Sequence, residues 1–516
     1  MPKPSEQPSV DPVEVTDGLV AAAGVAGARA ASPAPEIIDA RIDEQHSQGA
    51  QYSNAESPSS AKPQDAAGAP NGSPMLTIAL LTGVLAVAFE AYGTLTAMPV
   101  ASEQLGNLEL YAWTATAFTI SNVLSIVAAG RFGDKKGPGL PLFGGMTIFI
   151  IGLLIGGFAP SMTVLLLGRF VQGFGGGAVN VALMMVIALA YHGRRRADLM
   201  GWFSFCWVLP AFIGPPIAAW ITEHISWHWV FLGVVPVVLV SALLAVAPLI
   251  RVLGAHQTNP AETLPVPLSA ALIVAVATAG LQLAGQRLDL ISIPIAALSL
   301  AALAWLFPKL MPAGFTRLRE GLPALTAARL FVAGSFFAGE NFMTLLLIQR
   351  YELRLTVAGM FLILGSVGWT AGSFVQGRSF VTIGRHRLVQ LGAALLVAGN
   401  LLLAFAAWTG SALWLVVVGY TITGLGTGLV ISVVSLANML LSAPSQLGRN
   451  TSSLQVADAI GNALITGLAG TIFVALRNLG AGVEFLTIYL ACAAVGLIGL
   501  AISRRIGVLP APSEDA

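Results

Sequence analysis

Five ionisable side chains stand within long apolar stretches of this 516-residue chain: Glu90, Arg169, Arg329, Glu340 and Asp458. Taking a carboxylate out of water disfavours its charged form, and a neighbouring cation favours it again. An acid poised between the two effects can collect a proton on one side of a membrane and release it on the other, so Glu90, Glu340 and Asp458 are candidate proton-coupling groups. The alternative for each is a hydrogen bond that only fixes packing. An arginine in the middle of an apolar helix costs at least about 2.5–3.5 kcal/mol to insert, so Arg169 is expected to face a cavity and a partner unless it can snorkel to the surface. No P-loop, zinc spacing, dinucleotide fingerprint or nucleophile elbow is present. Cys206 and Cys492 both fall in apolar runs, where core filling is their expected role. No catalytic residue, metal or cofactor is therefore expected beyond the proton as coupling ion, and neither an enzyme nor a nucleic-acid binder is suggested.

The elements that position these groups follow from composition. Hydrophobic residues make up 56% of the chain and charged ones 10%, with a mean hydropathy of +0.79. A helix needs about 20 apolar residues to cross the hydrocarbon core, because backbone groups in lipid must be bonded within the segment. Fourteen such runs are read, at about 76–100, 111–130, 139–159, 162–190, 200–222, 229–250, 267–286, 290–308, 323–348, 357–377, 388–408, 411–439, 452–476 and 485–503. The expected fold class is an all-α polytopic membrane protein.

Residues 1–74 differ, with ten acidic and four basic residues among Ala, Pro, Ser and Gly. This composition predicts a disordered tail, and the segment lacks the pattern of a cleavable secretory signal, so the first span is expected to direct insertion. Of the other Lys and Arg, placing the N-terminus inside puts 16 on the cytoplasmic side and only Arg287, Arg350, Arg354 and Arg477 outside. That distribution predicts both termini in the cytoplasm.

The chain also repeats itself. GRFGDKKG from Gly130 is echoed by GRSFVTIG from Gly377, and GRFVQGFGGG from Gly168 by GYTITGLGTG from Gly419. The second match pairs Gly168, Gly173, Gly175 and Gly177 with Gly419, Gly424, Gly426 and Gly428. A third, looser one sets Glu90 against Glu340, and all three offsets lie between 247 and 251. Two six-span halves follow, with the runs at 267–286 and 290–308 inserted between them.

Over about residues 75–505 these stretches resemble the major facilitator superfamily, and within it the fourteen-span drug:proton antiporter group. The octet is similar to the loop signature between the second and third spans, Gly-x-x-x-Asp-(Arg/Lys)-x-Gly-Arg-(Arg/Lys), through Gly130, Asp134, Lys135 and Gly137; Pro138 and Gly139 replace its closing basic pair. Asp134 can accept bonds from a neighbouring helix N-terminus or an arginine while the glycines allow close approach, which makes a cytoplasmic gate. The alternative is charge that only sets topology. Gly377, Arg378 and Gly384 form its counterpart in the second half. LGRFVQGFGGG resembles the fourth-span signature centred on Arg169 and Gln172. VLPAFIGPPIAAW resembles the fifth-span antiporter motif, through Gly214 and Pro215, with Pro210 where a glycine is expected; Gly201 in the same run is grouped with it. FEAYGTLTAMP resembles the group's first-span signature, with Glu90, Ala97, Met98 and Pro99 in register.

The resemblance implies a tail at 1–74, a six-helix half at 75–250, a linker with two extra spans at 251–322, a second half at 323–505 and a short tail at 506–516. It also places the first and fourth spans of each half around a central cavity. Candidate liners are Tyr92, Phe118, Gln172, Phe337, Asn341, Trp369 and Tyr420. The implied function is proton-coupled export of lipophilic drugs or related small molecules by alternating access. The expected setting is the plasma (inner) membrane, with lipid and small lipophilic substrates as partners and a monomer as the working unit. An exporter of one endogenous metabolite or lipid, and a non-transporting receptor or scaffold bundle, are the alternatives.

Overall fold

In the computed structural model the described residues are 72–106, 111–254, 267–287, 290–376, 383–410, 412–476, 479 and 482–509. Nearly all of the expected N-terminal tail lies outside them, as do Gly377 and Arg378. Each apolar run is a helix. In order they are α1 (Pro74–Gln104), α2 (Tyr111–Lys136), α3 (Gly139–Gly157), α4 (Met162–Ala190), α5 (Gly193–His224), α6 (Val234–Gly254, after a short helix His228–Leu232), α7 (Leu268–Arg287), α8 (Ser292–Leu310), α9 (Leu322–Tyr351), α10 (Leu355–Val375), α11 (Arg385–Thr409), α12 (Leu413–Leu441), α13 (Leu447–Leu476) and α14 (Val483–Ser503). Among the described residues, all of these but α2, α7 and α10 are long and apolar enough to cross a membrane, and α7 and α10 hold the shorter apolar stretches Leu268–Leu281 and Met360–Val375. The chain is an all-helical, polytopic membrane protein.

Local signals start and stop these helices where the sequence carries them. Ser73 caps α1 through a bond from Leu76 N–H, with Pro74 at the first helical position. Gly137 takes a φ of +80° to turn the chain from α2 into α3. The start of α5 departs from expectation: the helix begins at Gly193, not at 200, and takes in Arg194, Arg195 and Arg196. Three cations at a helix N-terminus oppose its dipole. Arg196 resolves part of the conflict by folding back onto the preceding C-terminus, donating to the Tyr191 and Ala188 carbonyls at 2.6 Å each.

The helices pack in two sets of six with one pattern of neighbours. In the first set α1 lies on α5 and α6, α2 on α4, and α3 on α4 and α6; in the second α9 lies on α13 and α14, α10 on α12, and α11 on α12 and α14. The repeated glycines show why. A Cβ at Gly168 or Gly175 would meet the backbone of α3, and one at Gly173 or Gly177 that of α2. Gly419 and Gly426 meet α11, and Gly424 and Gly428 meet α10, in the same alternation. The sets touch each other through α2 on α13 and α5 on α10, while α7 lies against both α2 and α13 and carries α8 on its other side.

Candidate functional site

A cavity of about 320 Å³ lies between the two sets. The first supplies Tyr92 from α1, Asn180 and Met184 from α4, and Met200, Phe203, Ser204, Trp207 and Val208 from α5. The second supplies Arg329, Phe336, Phe337 and Glu340 from α9, Ser366 and Trp369 from α10, Ile431, Ser432 and Ser435 from α12, and Gln455 and Asp458 from α13. Six aromatic side chains and two methionines give the wall apolar area that adapts to varied shapes, and nine polar or charged residues stand among them. Phe336 packs edge-on to Trp369 at 5.2 Å between ring centroids and parallel to Tyr420 at 6.2 Å.

Three acids meet three different partners. Asp458 is held by Arg329 through a two-pronged pair, Nε to Oδ1 at 2.8 Å and Nη2 to Oδ2 at 2.6 Å. The remaining Arg329 nitrogen donates to Ser435 Oγ at 2.6 Å and the Ile431 carbonyl at 3.3 Å, so one guanidinium ties α9 to α12 and α13. Glu340, half-buried on the same face of α9, accepts a bond from Tyr420 Oη at 3.2 Å. Among the described residues no basic side chain is paired with it. Glu90 is fully buried and sits outside the cavity wall. It accepts from Arg169 Nη1 and, at 2.8 Å, from Thr94 Oγ1. Arg169 also donates to Gln172 Oε1 at 2.9 Å and lies 4.5 Å over the Phe118 ring.

Of the liners expected from sequence, Tyr92, Phe337 and Trp369 face this cavity. Phe118 and Gln172 instead serve Arg169, Tyr420 stands behind Glu340, and the Asn341 amide donates to Thr466 at 3.1 Å. Arg329 drew no role from the sequence beyond lying within a span. A usable signal was there: eleven residues separate it from Glu340, about three helical turns, which returns both to one face of α9 roughly 16 Å apart along the axis.

Away from the cavity, the two sets meet where the end of α2 packs on the start of α13. Asp134, 5% exposed, accepts from Gly448 N–H at 2.6 Å and Arg449 N–H at 2.8 Å, the first turn of α13. It lies in the last turn of α2, beyond the apolar run, and burial pushes its carboxyl up to about 6 against the pull of those two donors and the Arg449 charge. Ser452 Oγ donates to the Ile126 carbonyl at 2.8 Å beside it. The contact of α5 with α10 uses different chemistry. Gln376 Nε2 donates to the Ala197 carbonyl at 3.0 Å, and the Phe374 ring covers Gly201. Gly384 is the N-cap of α11, next to the His386 ring and the Leu509 carbonyl. Farther along α5, Pro210, Pro215 and Pro216 lie within the helix, and Gly214 packs against Tyr92 and Phe89 of α1.

Two helix sets with one packing pattern thus enclose a cavity that carries the Arg329–Asp458 pair in its wall. The Major Facilitator Superfamily model matches residues 80–466, and the chain belongs to that family, whose fold is a transporter's and not an enzyme's. An uncharacterized MFS-type transporter of Mycobacterium tuberculosis is 28% identical over 415 residues, covering 77% of this chain and 59% of the relative, so the chain spans about three-fifths of that protein's length. Multidrug resistance protein 3 of Bacillus subtilis is 24% identical over 408 residues, 77% of this chain and 79% of its own. The multidrug transporter protein MdtP of the same organism is 35% identical over a shorter stretch of 186 residues, 35% of this chain and 34% of its own. Among solved structures, the human organic anion transporter MFSD10 superposes with a TM-score of 0.65 at 14% identity, covering 83% of this chain and 99% of that one. The proton:xylose symporter XylE does so at 0.60 and 11%, covering 85% and 97%.

Proposed function

We propose that this protein is a fourteen-span, proton-coupled exporter of lipophilic, chiefly cationic, small molecules in the plasma (inner) membrane, with both termini in the cytoplasm. The observation that carries this reading is the cavity with six aromatic side chains in its wall, where Glu340, the lining acid that has no basic partner among the described residues, can be met by a proton or by a ligand cation but not by both. Competition for one carboxylate is the simplest exchange device, since release of either requires arrival of the other. Glu90 and Asp458 are each engaged by an arginine, which leaves them as supports in this reading. The multidrug names of two relatives support export of drug-like compounds. With the basic loops inside, the arrangement described is the one closed to the cytoplasm.

Vesicles containing the purified protein test it. With an imposed pH gradient, tetraphenylphosphonium is expected to move against its concentration gradient, and to stop when an uncoupler collapses the gradient. Movement unaffected by the uncoupler would remove proton coupling, and no movement of any compound in a lipophilic panel would remove export.

Asp134→Asn addresses the contact of α2 with α13. Asparagine keeps an acceptor for one of the two N–H groups but loses the charge at the α13 N-terminus, a loss of about 0.5–2 kcal/mol by the usual cost of cap and dipole changes. Turnover should fall several-fold while tetraphenylphosphonium affinity stays within about twofold, because the group touches no ligand. Equal turnover at equal protein would reduce the octet to a topology signal.

A further inference from the structure

The duplicated helix contacts allow the two sets to be compared residue by residue. Glu340 follows Glu90 by 250 residues and Tyr420 follows Arg169 by 251, each of the latter directly after a matched glycine, Gly168 or Gly419. In both sets the acid accepts a bond from that residue: Glu90 from Arg169, Glu340 from Tyr420. The α2-type neighbours correspond as well. Phe118, which carries the Arg169 guanidinium on its ring, precedes Gly365 by 247, the offset of the Gly130 and Gly377 octets. Gly365 has no side chain, and a Cβ there would stand 2.5–2.6 Å from the Tyr420 ring, so the phenol fills the space that Phe118 fills in the first set.

We infer that the repeat has divided one acid-and-partner site into two, a sealed pair of Glu90 with Arg169 and an open one of Glu340 with Tyr420, in which Tyr420 is the positioning residue that sets the cavity's preference for cations. An arginine neutralises the acid it holds, whereas a phenol orients the acid by one hydrogen bond and leaves its charge to a ligand. The surroundings agree with this. The Arg329 and Asp458 charges cancel each other in the wall. Tyr92, from the other set, is the further titratable group lining the cavity with Glu340. Tyr420 itself is 2% exposed, so it acts on a ligand through Glu340.

The inference rests on the export reading for its ligand class, and its test separates the two. Binding of tetraphenylphosphonium and of the neutral triphenylphosphine oxide is measured on the purified full chain by equilibrium dialysis. The parent should prefer the cation. Tyr420→Phe, which removes only the hydroxyl, should weaken cation binding about tenfold, the worth of one hydrogen bond to a charged group, and leave the neutral compound within about twofold. Tyr420→Arg should abolish the preference, and Gly365→Ala, which displaces the ring, should reproduce Tyr420→Phe. A purely structural Tyr420 would lower both ligands alike, and that result overturns the inference. So does a parent that binds both ligands equally or neither. If the parent prefers the cation and the variants behave as described while vesicles show no gradient-driven movement, the export reading falls and the division of the repeat stands. Gradient-driven export with an unchanged preference in all three variants gives the reverse.

Discussion

Arg169→Ala is expected to lower the unfolding free energy by about 3–5 kcal/mol, the usual cost of stranding one partner of a buried ion pair. Glu90 is fully buried, and one of its oxygens already has no hydrogen-bond partner. Arg169 supplies the charge that makes this burial tolerable, and Thr94 alone cannot replace it. Losing the arginine also empties the face of Phe118 and frees the Gln172 carbonyl oxygen. The double variant Glu90→Gln with Arg169→Gln should recover more than half of the loss, because it leaves no net buried charge. Reversible unfolding in mixed micelles reads both. A single variant within about 1 kcal/mol of the parent, or a double variant no better than the single one, would show that the pair carries no structural weight.

Gly130→Val should have the largest effect on transport. A Cβ at Gly130 would stand 2.5 Å from the Gly448 carbonyl oxygen and closer still to Ser452 Oγ. Backbone cannot rotate aside as a flexible side chain can, so α2 and α13 must separate and Asp134 loses its grip on the first turn of α13. The closed arrangement is then excluded, and turnover should drop at least about tenfold, as a shift of more than 1.4 kcal/mol between the two states requires. Ligand binding should survive, since the contact lies away from the cavity. Spin labels at positions 136 and 443, near the facing ends of α2 and α13, should report a longer distance than in the parent. An unchanged distance with unchanged turnover would mean that this contact is not part of the transport cycle.

Much of the architecture was legible because lipid imposes rules that act locally along the chain. A helix in hydrocarbon must be long, apolar and internally bonded, so runs of composition marked every helix, and only ends such as that of α5 moved, where Arg196 found carbonyls that no composition reveals. The glycines of α4 and α12 announced their duplicated packing because a missing side chain has one strong use between helices. Asp134 offered an acceptor for a helix N-terminus, and the first turn of α13 supplies the donors.

The order of the long helices, the duplication, and the identities of the acids and cations within them are legible along the chain. Which acid meets which partner follows from how the helices pack. Glu90 and Arg169 are separated by 79 residues, Glu340 and Tyr420 by 80, and Arg329 and Asp458 by 129. A helix apolar on every side does not show which face turns inward, so Glu90 and Glu340 look alike along the chain. In space one is closed over by a guanidinium and the other opens on a cavity, because the residue that follows the matched glycine is an arginine in one set and a tyrosine in the other.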